Sequence, residues 1–436
     1  MRVVRLAALV ALVVFGLAST ATLAQQGAAL PPGAYASHVR VVGYSDLDGR
    51  PGAFKMTILE RGGRWYLYTG QFWHRGWTVL DVTDPAKPVV AKWIPGPDNT
   101  STGQVDLADG KLITALERKA PDWGGDSTKR FDEGVVIWSL DDPVNPKRLG
   151  QWKTGATGTH RNGYYGGRYI HLAAGMLGYR GNIYVILDIS DPAQPVEAGR
   201  WWVPGQHVAG GETPQPDVSL HGPAYVDGNL AWLPYGAAGM IVLDISEVAK
   251  PKLVSRLPFS PPFLGFIGVH SVLPLKNRGL AVVNSEAIQE SCNEPLNHAS
   301  LVDVKDPAKP RVTAMFPLPV PPPGAPYQNF CEKGGRFGPH NQNQLYHNPH
   351  VQKSEKLVYL TYFNAGLRIY DISDATVVRE VGYFIPPEPT KRVGPMPKTK
   401  LVEQSEDVLV DTRGNIYLTH KQQGLWILQY TGDAGK

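Results

Sequence analysis

Cysteine is scarce in this chain of 436 residues. Cys292 and Cys331 are the two that occur, and both lie in stretches rich in Asn, Gly and Pro. Neither has a CxxC partner, which argues against a thiol metal site or a catalytic thiol. In an exported protein such a pair predicts one disulfide that joins two loops.

Long apolar stretches and an excess of charge are also missing. After the first 24 residues no segment is long and apolar enough to span a bilayer. The formal net charge of +4 falls to +2 without the two arginines of that leader. So small a balance, without clusters of Lys and Arg, gives no argument for nucleic acid or an anionic membrane surface as a partner. The GxSxG, P-loop and HExxH motifs are absent too.

The N-terminus has the layout of a secretory signal peptide. Two arginines precede an apolar run from Leu6 to Leu17, and small residues end at Ala24. This pattern predicts cleavage after Ala24 and export to the periplasm or the cell exterior. We therefore expect a signal peptide at 1–24, a linker at 25–36 and a single monomeric domain at 37–436 without a transmembrane segment.

A repeated phrase dominates the rest of the chain, which is rich in Gly, Pro, Trp and Tyr. Six copies begin near positions 76, 134, 182, 239, 299 and 366, as in NIYVILDISDPAQPVEAGRW. Each copy is typical of a strand, a turn and a second strand, and the segments between copies add a hairpin such as GPAYVDGNLAWLPYG. Two hairpins per unit predict a four-stranded blade, and repeated blades predict a β-propeller.

A seventh unit, at 405–432, supplies three strands before the chain ends. The fourth is predicted at 37–47, SHVRVVGYSDL, which matches the pattern of the outer strands. We therefore predict an all-β fold, a seven-bladed β-propeller in which the N-terminal strand closes the ring by completing the last blade. This arrangement leaves no sheet edge unpaired. A solenoid is the structural alternative, but a split last blade favours a ring.

The phrase LDISDPAQPVEAG resembles the LVIVD repeat of exported bacterial and archaeal proteins. The likeness covers most of the chain after Ser37. The resemblance implies a secreted or surface-associated propeller, and it supplies no catalytic residue.

Histidine recurs at one position of the repeat. When the units are aligned on their first hairpin turn, His160, His221 and His270 each lie six residues before the turn, and His350 is the counterpart in the sixth unit. In a propeller this position lies on the strand that lines the central channel. Imidazoles at one height predict a transition-metal site, for Zn, Cu or Fe without a choice among them.

Two alternatives stay open at this position. His340 or His347 could replace or supplement His350, and the rings could instead bond the backbone of neighbouring blades in a purely structural role. A four-histidine channel site is similar, in arrangement only, to the iron centre of carotenoid-cleaving propeller oxygenases, and more loosely to the propeller of methanethiol oxidase. Neither family's sequence motifs appear in this chain.

Four further residues fall at strand ends near the predicted channel mouth: Glu286, Glu406, Asp407 and His420. A carboxylate there could orient a ligating ring or act as a general base on metal-bound water. A solvated charge at the rim is the alternative for each. His74, His207 and His298 lie in predicted loops, where we expect them at the surface.

Two functions follow from these observations. The first is a metal-binding propeller, as an oxidoreductase, a hydrolase or a simple metal binder, with a small molecule as its ligand. The second is a non-catalytic propeller that binds a surface protein or glycan through its loops. The long insertions that carry Cys292 and Cys331 would lie beside the histidines as a lid or a docking surface.

Overall fold

The computed structural model describes residues 29–215, 218–259, 266–295 and 297–435. β-strands dominate these ranges, which confirms the all-β prediction. The predicted signal peptide, 1–24, lies outside the described residues. Within them the sole α-helix is α1 (Phe330–Lys333), and the short 3-10 helices span Pro121–Trp123, Val208–Gly210, Gly236–Ala238 and Lys276–Arg278. None of the helices in these ranges is long and apolar enough to cross a membrane.

The strands follow one another along the chain with short connections. The first eleven are β1 (Tyr35–Ser37), β2 (Val39–Ser45), β3 (Ala53–Arg61), β4 (Arg64–Gln71), β5 (Gly76–Asp81), β6 (Val89–Pro95), β7 (Thr100–Ser101), β8 (Val105–Ala108), β9 (Lys111–Arg118), β10 (Gly134–Ser139) and β11 (Lys147–Trp152). The next eight are β12 (Gly158–Tyr164), β13 (Tyr169–Gly175), β14 (Asn182–Asp188), β15 (Val196–Trp201), β16 (Tyr225–Asp227), β17 (Leu230–Pro234), β18 (Met240–Asp244) and β19 (Lys252–Leu257). The last ten are β20 (Ile267–Leu275), β21 (Leu280–Glu286), β22 (Ala299–Asp303), β23 (Arg311–Met315), β24 (Leu357–Thr361), β25 (Leu367–Asp371), β26 (Arg379–Ile385), β27 (Ser405–Val410), β28 (Asn415–His420) and β29 (Leu425–Tyr430).

Antiparallel meanders of four strands are the unit of the fold. Three sheets consist of one meander each, namely β3 to β6, β16 to β19 and β20 to β23. A nine-stranded sheet contains two more, β8 to β11 and β12 to β15, which join where β9 pairs with β12 through Glu117 and Gly158. The predicted strand–turn–strand phrase therefore forms the third and outer strands of each meander.

The N-terminal strands complete the last two sheets. β2 pairs with β29 from Val39↔Tyr430 to Ser45↔Leu425, inside the predicted segment 37–47. β1 pairs with β26. The strand therefore includes Tyr35 and Ala36, the last two residues of the segment predicted as a linker, 25–36. The sheet of β24 to β26 has no regular inner strand, but His340 N donates to Thr361 O at 2.9 Å and Asn343 N donates to Tyr359 O at 3.1 Å. The segment around His340 therefore takes the inner position.

The aspartates of the repeated phrase stabilise the turn to the outer strand. Asp188 Oδ1 accepts a hydrogen bond from Ser190 N at 2.8 Å, and Asp191 Oδ1 accepts one from Ala193 N at 3.0 Å. The same two bonds recur with Asp81 and Asp84, Asp303 and Asp306, and Asp371 and Asp374. Such bonds to the backbone two residues ahead are typical of Asx turns, so a local rule explains why the phrase recurs.

A glycine in the outer strand allows one sheet to touch the turn of the next. A Cβ at Gly199 would lie 2.0 Å from Val248 O, and one at Gly150 would lie 2.2 Å from Pro192 O. Gly43 of β2 has the same relation to Pro85 O, also at 2.2 Å. Pro85 belongs to the turn between β5 and β6, so the last sheet along the chain packs against the first.

Apolar side chains fill the space between these two sheets. Ile58 and Leu67 of the first sheet belong to one buried cluster with Leu409, Tyr417 and Ile427 of the last. Every member of this group is at most 1% exposed. Burial of apolar surface stabilises such a contact by about 25 cal/mol per Å².

The glycine contact is directly testable. Gly43→Ala should lower the free energy of unfolding by about 1 to 3 kcal/mol, because the new methyl group meets a backbone carbonyl that cannot turn away. Urea denaturation measures the change. Val89→Ala, at a 59% exposed position of β6, is the control and should have little effect. Equal stability of the two variants would contradict this close approach of the last sheet to the first.

Candidate functional site

Four histidines meet at one end of the inner strands. His160 lies in β12, His221 precedes β16, His270 lies in β20, and His340 lies in the inner segment beside β24. Neighbouring ring centroids are 4.4 Å apart for His160 and His221, 5.4 Å for His221 and His270, and 4.8 Å for His270 and His340. We call these four residues the histidine cluster.

Three of the four rings have Nδ1 within reach of an oxygen atom. The pairs are His160 with Glu117 Oε2 at 2.9 Å, His270 with Ser271 Oγ at 2.8 Å, and His340 with Glu406 Oε2 at 3.3 Å. An oxygen acceptor at Nδ1 favours the tautomer with its proton there and leaves the lone pair of Nε2 free. This is the arrangement that metal-ligating histidines usually have.

The Nε2 atoms face a single carboxylate, that of Glu286 at the end of β21. The distances to its oxygens are 2.9 Å from His221, 3.5 Å from His270 and 3.6 Å from His340. His160 Nε2 lies 3.4 Å from His221 Nε2. The donor atoms of His221, His270 and Glu286 all lie within 4.8 Å of one another.

These separations fit a metal ion. Two ligands that bind Zn²⁺ at about 2.0 to 2.1 Å in a tetrahedral site lie about 3.3 to 3.4 Å apart. The 3.4 Å between His160 and His221 and the 3.5 Å between His270 and Glu286 are close to that value. These two pairs of donor atoms are therefore spaced like two ligands of one ion.

Burial keeps the imidazoles of His221 and His270 in the neutral form that binds metals. It lowers the pKa of His221 to about 4, with His160 adding to the shift and Glu286 opposing it. Burial also holds the pKa of His270 well below its ordinary value, again against Glu286. Burial alone would raise the pKa of Glu286, but contacts with His340 and His221 hold it well below its usual range. Neutral imidazoles beside an ionised carboxylate are good metal ligands.

Two contacts compete with this use of the cluster, and in one of them Asn341 Nδ2 lies 3.3 Å from His340 Nε2. In the other, Arg161 Nη2 lies 3.1 Å from His270 Nε2 and donates to the lone pair that an ion would need. An ion bound by His270 must therefore displace the guanidinium from this nitrogen.

A cavity of about 310 Å³ adjoins the histidine cluster. We call it the histidine cavity. One wall consists of Phe54, Phe72 and Trp123, whose neighbouring rings stack at centroid distances of 4.3 Å and 5.4 Å. The guanidinium groups of Arg161 and Arg336 also line it. A larger cavity of about 790 Å³, around Tyr165, Tyr225 and His347, contains no member of the cluster.

The predicted disulfide between Cys292 and Cys331 is present. Beside it Ser291 N donates to Gly335 O at 2.7 Å, which ties the two loops together. Ile288 from one loop and Arg336 from the other reach the histidine cavity. The disulfide therefore lies next to the site and fixes part of its wall.

His350, the ligand expected from the sixth unit, lies elsewhere. Its ring packs edge-on against Trp65 at 5.6 Å, and Glu60 is its charged neighbour. Glu60 and Phe54 are six residues apart on β3, or about 20 Å at the usual strand rise. Because Phe54 packs on His340, His350 belongs to the other end of the inner strands. His340 takes the place that the sequence alignment gave to His350.

The other candidates divide between the cluster and the framework. Glu286 and Glu406 contact the clustered rings, as described above. Asp407 instead pairs with Lys55 Nζ at 2.7 Å and accepts from Met56 N at 2.9 Å, which links β27 to β3. His420 is fully buried, with Nε2 facing Gln404 N at 3.1 Å. Asp407 and His420 thus have structural partners and do not line the histidine cavity.

Three loop histidines were expected at the surface. His298 is instead buried, with 2% exposure, because it follows the disulfide loop back into β22. His74 and His207 are half-buried in loops.

Sequence reasoning missed several charged residues of the site: Glu117, Arg161, Arg336 and Lys421. Each contacts the cluster or its carboxylates. Arg161 follows His160 directly, and Lys421 follows His420, so adjacency to a candidate histidine was the one signal available.

The family model described as "LVIVD repeat" matches this chain at residues 177–202, 225–257 and 350–384. The chain carries LVIVD repeats. The matched ranges include the Asx turns at Asp188 and Asp371 but none of the four clustered histidines. The repeat therefore accounts for the fold and leaves the site unexplained.

Solved structures support a propeller fold for the LVIVD-repeat protein. The β-propeller domain of Cps50 (Swd1) from Myceliophteria thermophila aligns with a TM-score of 0.54 at 10% identity, over 88% of this chain and 98% of that one. Streptogramin B lyase aligns with a TM-score of 0.50 at 11% identity, over 91% and 97%. At such identities the likeness shows the fold alone. No curated protein matches the sequence.

A buried ion pair behind the cluster gives one prediction. Lys421 Nζ lies 2.6 Å from Glu406 Oε1, and both side chains are 1% exposed. Lys421→Met should lower the free energy of unfolding by about 3 to 5 kcal/mol, because Glu406 then carries an uncompensated buried charge. The double variant Lys421→Met with Glu406→Gln should recover much of that loss. Chemical denaturation of both variants measures the coupling.

The matched control is an exposed pair. Lys252 Nζ lies 3.5 Å from Glu247 Oε2 with both side chains at least half exposed, so Lys252→Met should cost less than about 1 kcal/mol. If Lys421→Met cost no more than this control, the pair would not hold the site together.

A second buried acid predicts a pH dependence of stability. Burial raises the pKa of Glu403 to about 8, against the opposing effect of Lys333. The unfolded chain has a carboxyl pKa near 4.3, so the folded state binds the extra proton. The stability that this proton contributes is complete below about pH 4 and is lost as the pH rises through about 8.

Glu403→Gln removes this titration. The wild type should therefore lose stability relative to Glu403→Gln as the pH rises from 5 to 8.5. The free energy of unfolding of the variant minus that of the wild type should increase over this range. Urea denaturation at several pH values gives the difference, and Glu247→Gln on the surface should show no such trend. A constant difference across this range would show that Glu403 is ionised in the folded protein.

Proposed function

We propose that this LVIVD-repeat protein is an exported, metal-dependent enzyme built on a closed seven-bladed β-propeller. The histidine cluster holds a transition-metal ion, and the histidine cavity binds the molecule on which it acts. The contact of Gly43 with Pro85 and the apolar cluster between the first and last sheets support a closed ring. The disulfide and the signal-peptide pattern at 1–24 support export to an oxidising compartment.

The convergence of three Nε2 atoms on the Glu286 carboxylate carries this proposal, with the fourth, that of His160, 3.4 Å from His221 Nε2. If the four histidines had only a structural role, each ring would need no more than one hydrogen-bonding partner in any direction. Here three rings place Nδ1 against Glu117, Ser271 and Glu406 and point the other nitrogen toward the same small volume. Such uniform orientation is the support expected for metal ligands, and imidazole nitrogen suits Zn, Cu and Fe.

The residues around the cluster have distinct roles in this proposal. His160, His221, His270 and His340 are the candidate ligands, and Glu117 and Glu406 orient two of the rings. Glu286 either joins the ligands or serves as a base, because its Oε2 atom is buried and lies beside the cavity. A metal ion there would supply Lewis acidity, or a redox centre if it is Cu or Fe.

A non-catalytic binding protein is the second candidate. The contact of Arg161 with His270 favours it, because this contact satisfies one ring nitrogen without an ion. In that case the four rings only stabilise the channel, and substitutions within the cluster would lower stability without changing any metal content.

Elemental analysis separates the two functions. The protein reconstituted with Zn, Cu or Fe and then desalted should retain about one ion per chain, and His221→Ala with His270→Ala should retain none. Glu117→Gln should weaken metal affinity by about 10- to 100-fold, because the His160 ring loses its orienting carboxylate. His350→Ala is the matched control and should bind metal like the wild type.

Failure of the folded wild-type protein to retain any of the three metals would overturn the proposal. Loss of metal in His350→Ala with retention in His340→Ala would show that the sequence alignment, rather than the observed cluster, identifies the fourth ligand.

A further inference from the structure

Two buried guanidinium groups face the histidine cavity with donors to spare. Arg161 is 3% exposed and Arg336 is 5% exposed. Among the described residues, Nε and Nη1 of Arg161 and Nε of Arg336 have no hydrogen-bond partner. A buried donor left without a partner costs about 1 to 3 kcal/mol, and more when it is charged. Such donors in a cavity wall are therefore suited to a ligand.

The carboxylates near Arg161 already have other partners. Glu286 pairs with Arg336 Nη1 at 3.1 Å, Glu406 pairs with Lys421, and Glu117 pairs with His160. Within the described chain no carboxylate lies within hydrogen-bonding distance of Arg161. Arg161 thus has no direct ion-pair partner, although nearby carboxylates, with Glu286 and Glu117 first among them, partly balance its charge. Its unpaired N–H groups favour a ligand that offers acceptor oxygens.

The wall beside these guanidinium groups is aromatic. The Arg161 guanidinium lies over the Phe54 ring at 5.0 Å, and that of Arg336 lies over Trp123 at 5.3 Å. Phe72 connects the two rings through stacked contacts. A flat apolar surface next to a cation recognises a planar group that carries a negative charge.

The size of the histidine cavity limits the ligand. Its volume of about 310 Å³ is at the lower end of the range for small-molecule sites. A single ring with one acidic substituent fits this volume.

We propose that the histidine cavity binds a small planar organic carboxylate, with its carboxylate on Arg161 and Arg336 and its ring against Phe54, Phe72 and Trp123. Guanidinium groups match carboxylates through paired, charge-assisted hydrogen bonds. Since Arg161 Nη2 lies 3.1 Å from His270 Nε2, a carboxylate held there lies beside the metal ligands. This assignment of a substrate class rests on the proposed function in placing the ligand next to a metal centre.

Calorimetric titration with benzoate tests the proposal. Benzoate should bind the folded full-length protein at least tenfold more tightly than benzamide, which lacks the charge, and than acetate, which lacks the ring. Arg161→Gln should reduce benzoate affinity at least tenfold. Trp123→Ala, at a half-buried position of a surface loop, should weaken benzoate binding and leave acetate unchanged. Arg168→Gln, in an ion pair with Asp188 outside this cavity, is the control and should bind benzoate normally.

The metal content of each sample keeps this test separate from that of the proposed function. Benzoate binding that depends on Arg161 and Trp123, in folded protein that retains no Zn, Cu or Fe after reconstitution, supports the carboxylate site and overturns the metal centre alone. If the protein retains one metal ion per chain but binds benzoate and benzamide equally tightly, the result overturns the carboxylate site alone. If Arg161→Gln does not fold, unchanged benzoate affinity in Trp123→Ala overturns the carboxylate site.

Discussion

The carboxylate of Glu286 is the group on which the site depends. It lies at the end of β21 with imidazole nitrogens on one side and the guanidinium of Arg336 on the other. A buried carboxylate is costly unless charged or polar groups surround it, so it constrains all of these partners at once. The positions of His221, His270 and His340 relative to one another follow from their shared contact with this one group.

The repeated architecture brings such groups together from distant parts of the chain. Neighbouring meanders bring these groups to one end of their inner strands, and the close glycine contacts show how tightly neighbouring sheets pack. The disulfide loops then add Ile288 and Arg336 from outside the repeat. The regular part of the fold supplies the histidines, and the irregular insertions supply much of the cavity wall.

The parts of the structure that follow local rules were accessible from the sequence. The turn chemistry, the all-β class and the pairing of β2 in the last sheet depend on patterns within short segments. The histidine position could be aligned where the first hairpin has constant length. The alignment failed in the sixth unit because residues 345–356 form a longer connection between the inner segment and β24. This longer connection hides the equivalence of His340 to the histidines of the other units. Contacts between meanders, such as Glu117 with His160, leave no trace in a single sequence.

The most direct test of the account is the location of a bound metal by anomalous X-ray diffraction from crystals of the metal-loaded protein. A metal ion bound by the histidine cluster should give one anomalous peak at about 2.0 to 2.3 Å from Nε2 of at least three of the four histidines. A peak at His350, or well-ordered crystals of protein exposed to Zn, Cu and Fe with no peak at the cluster, would contradict it.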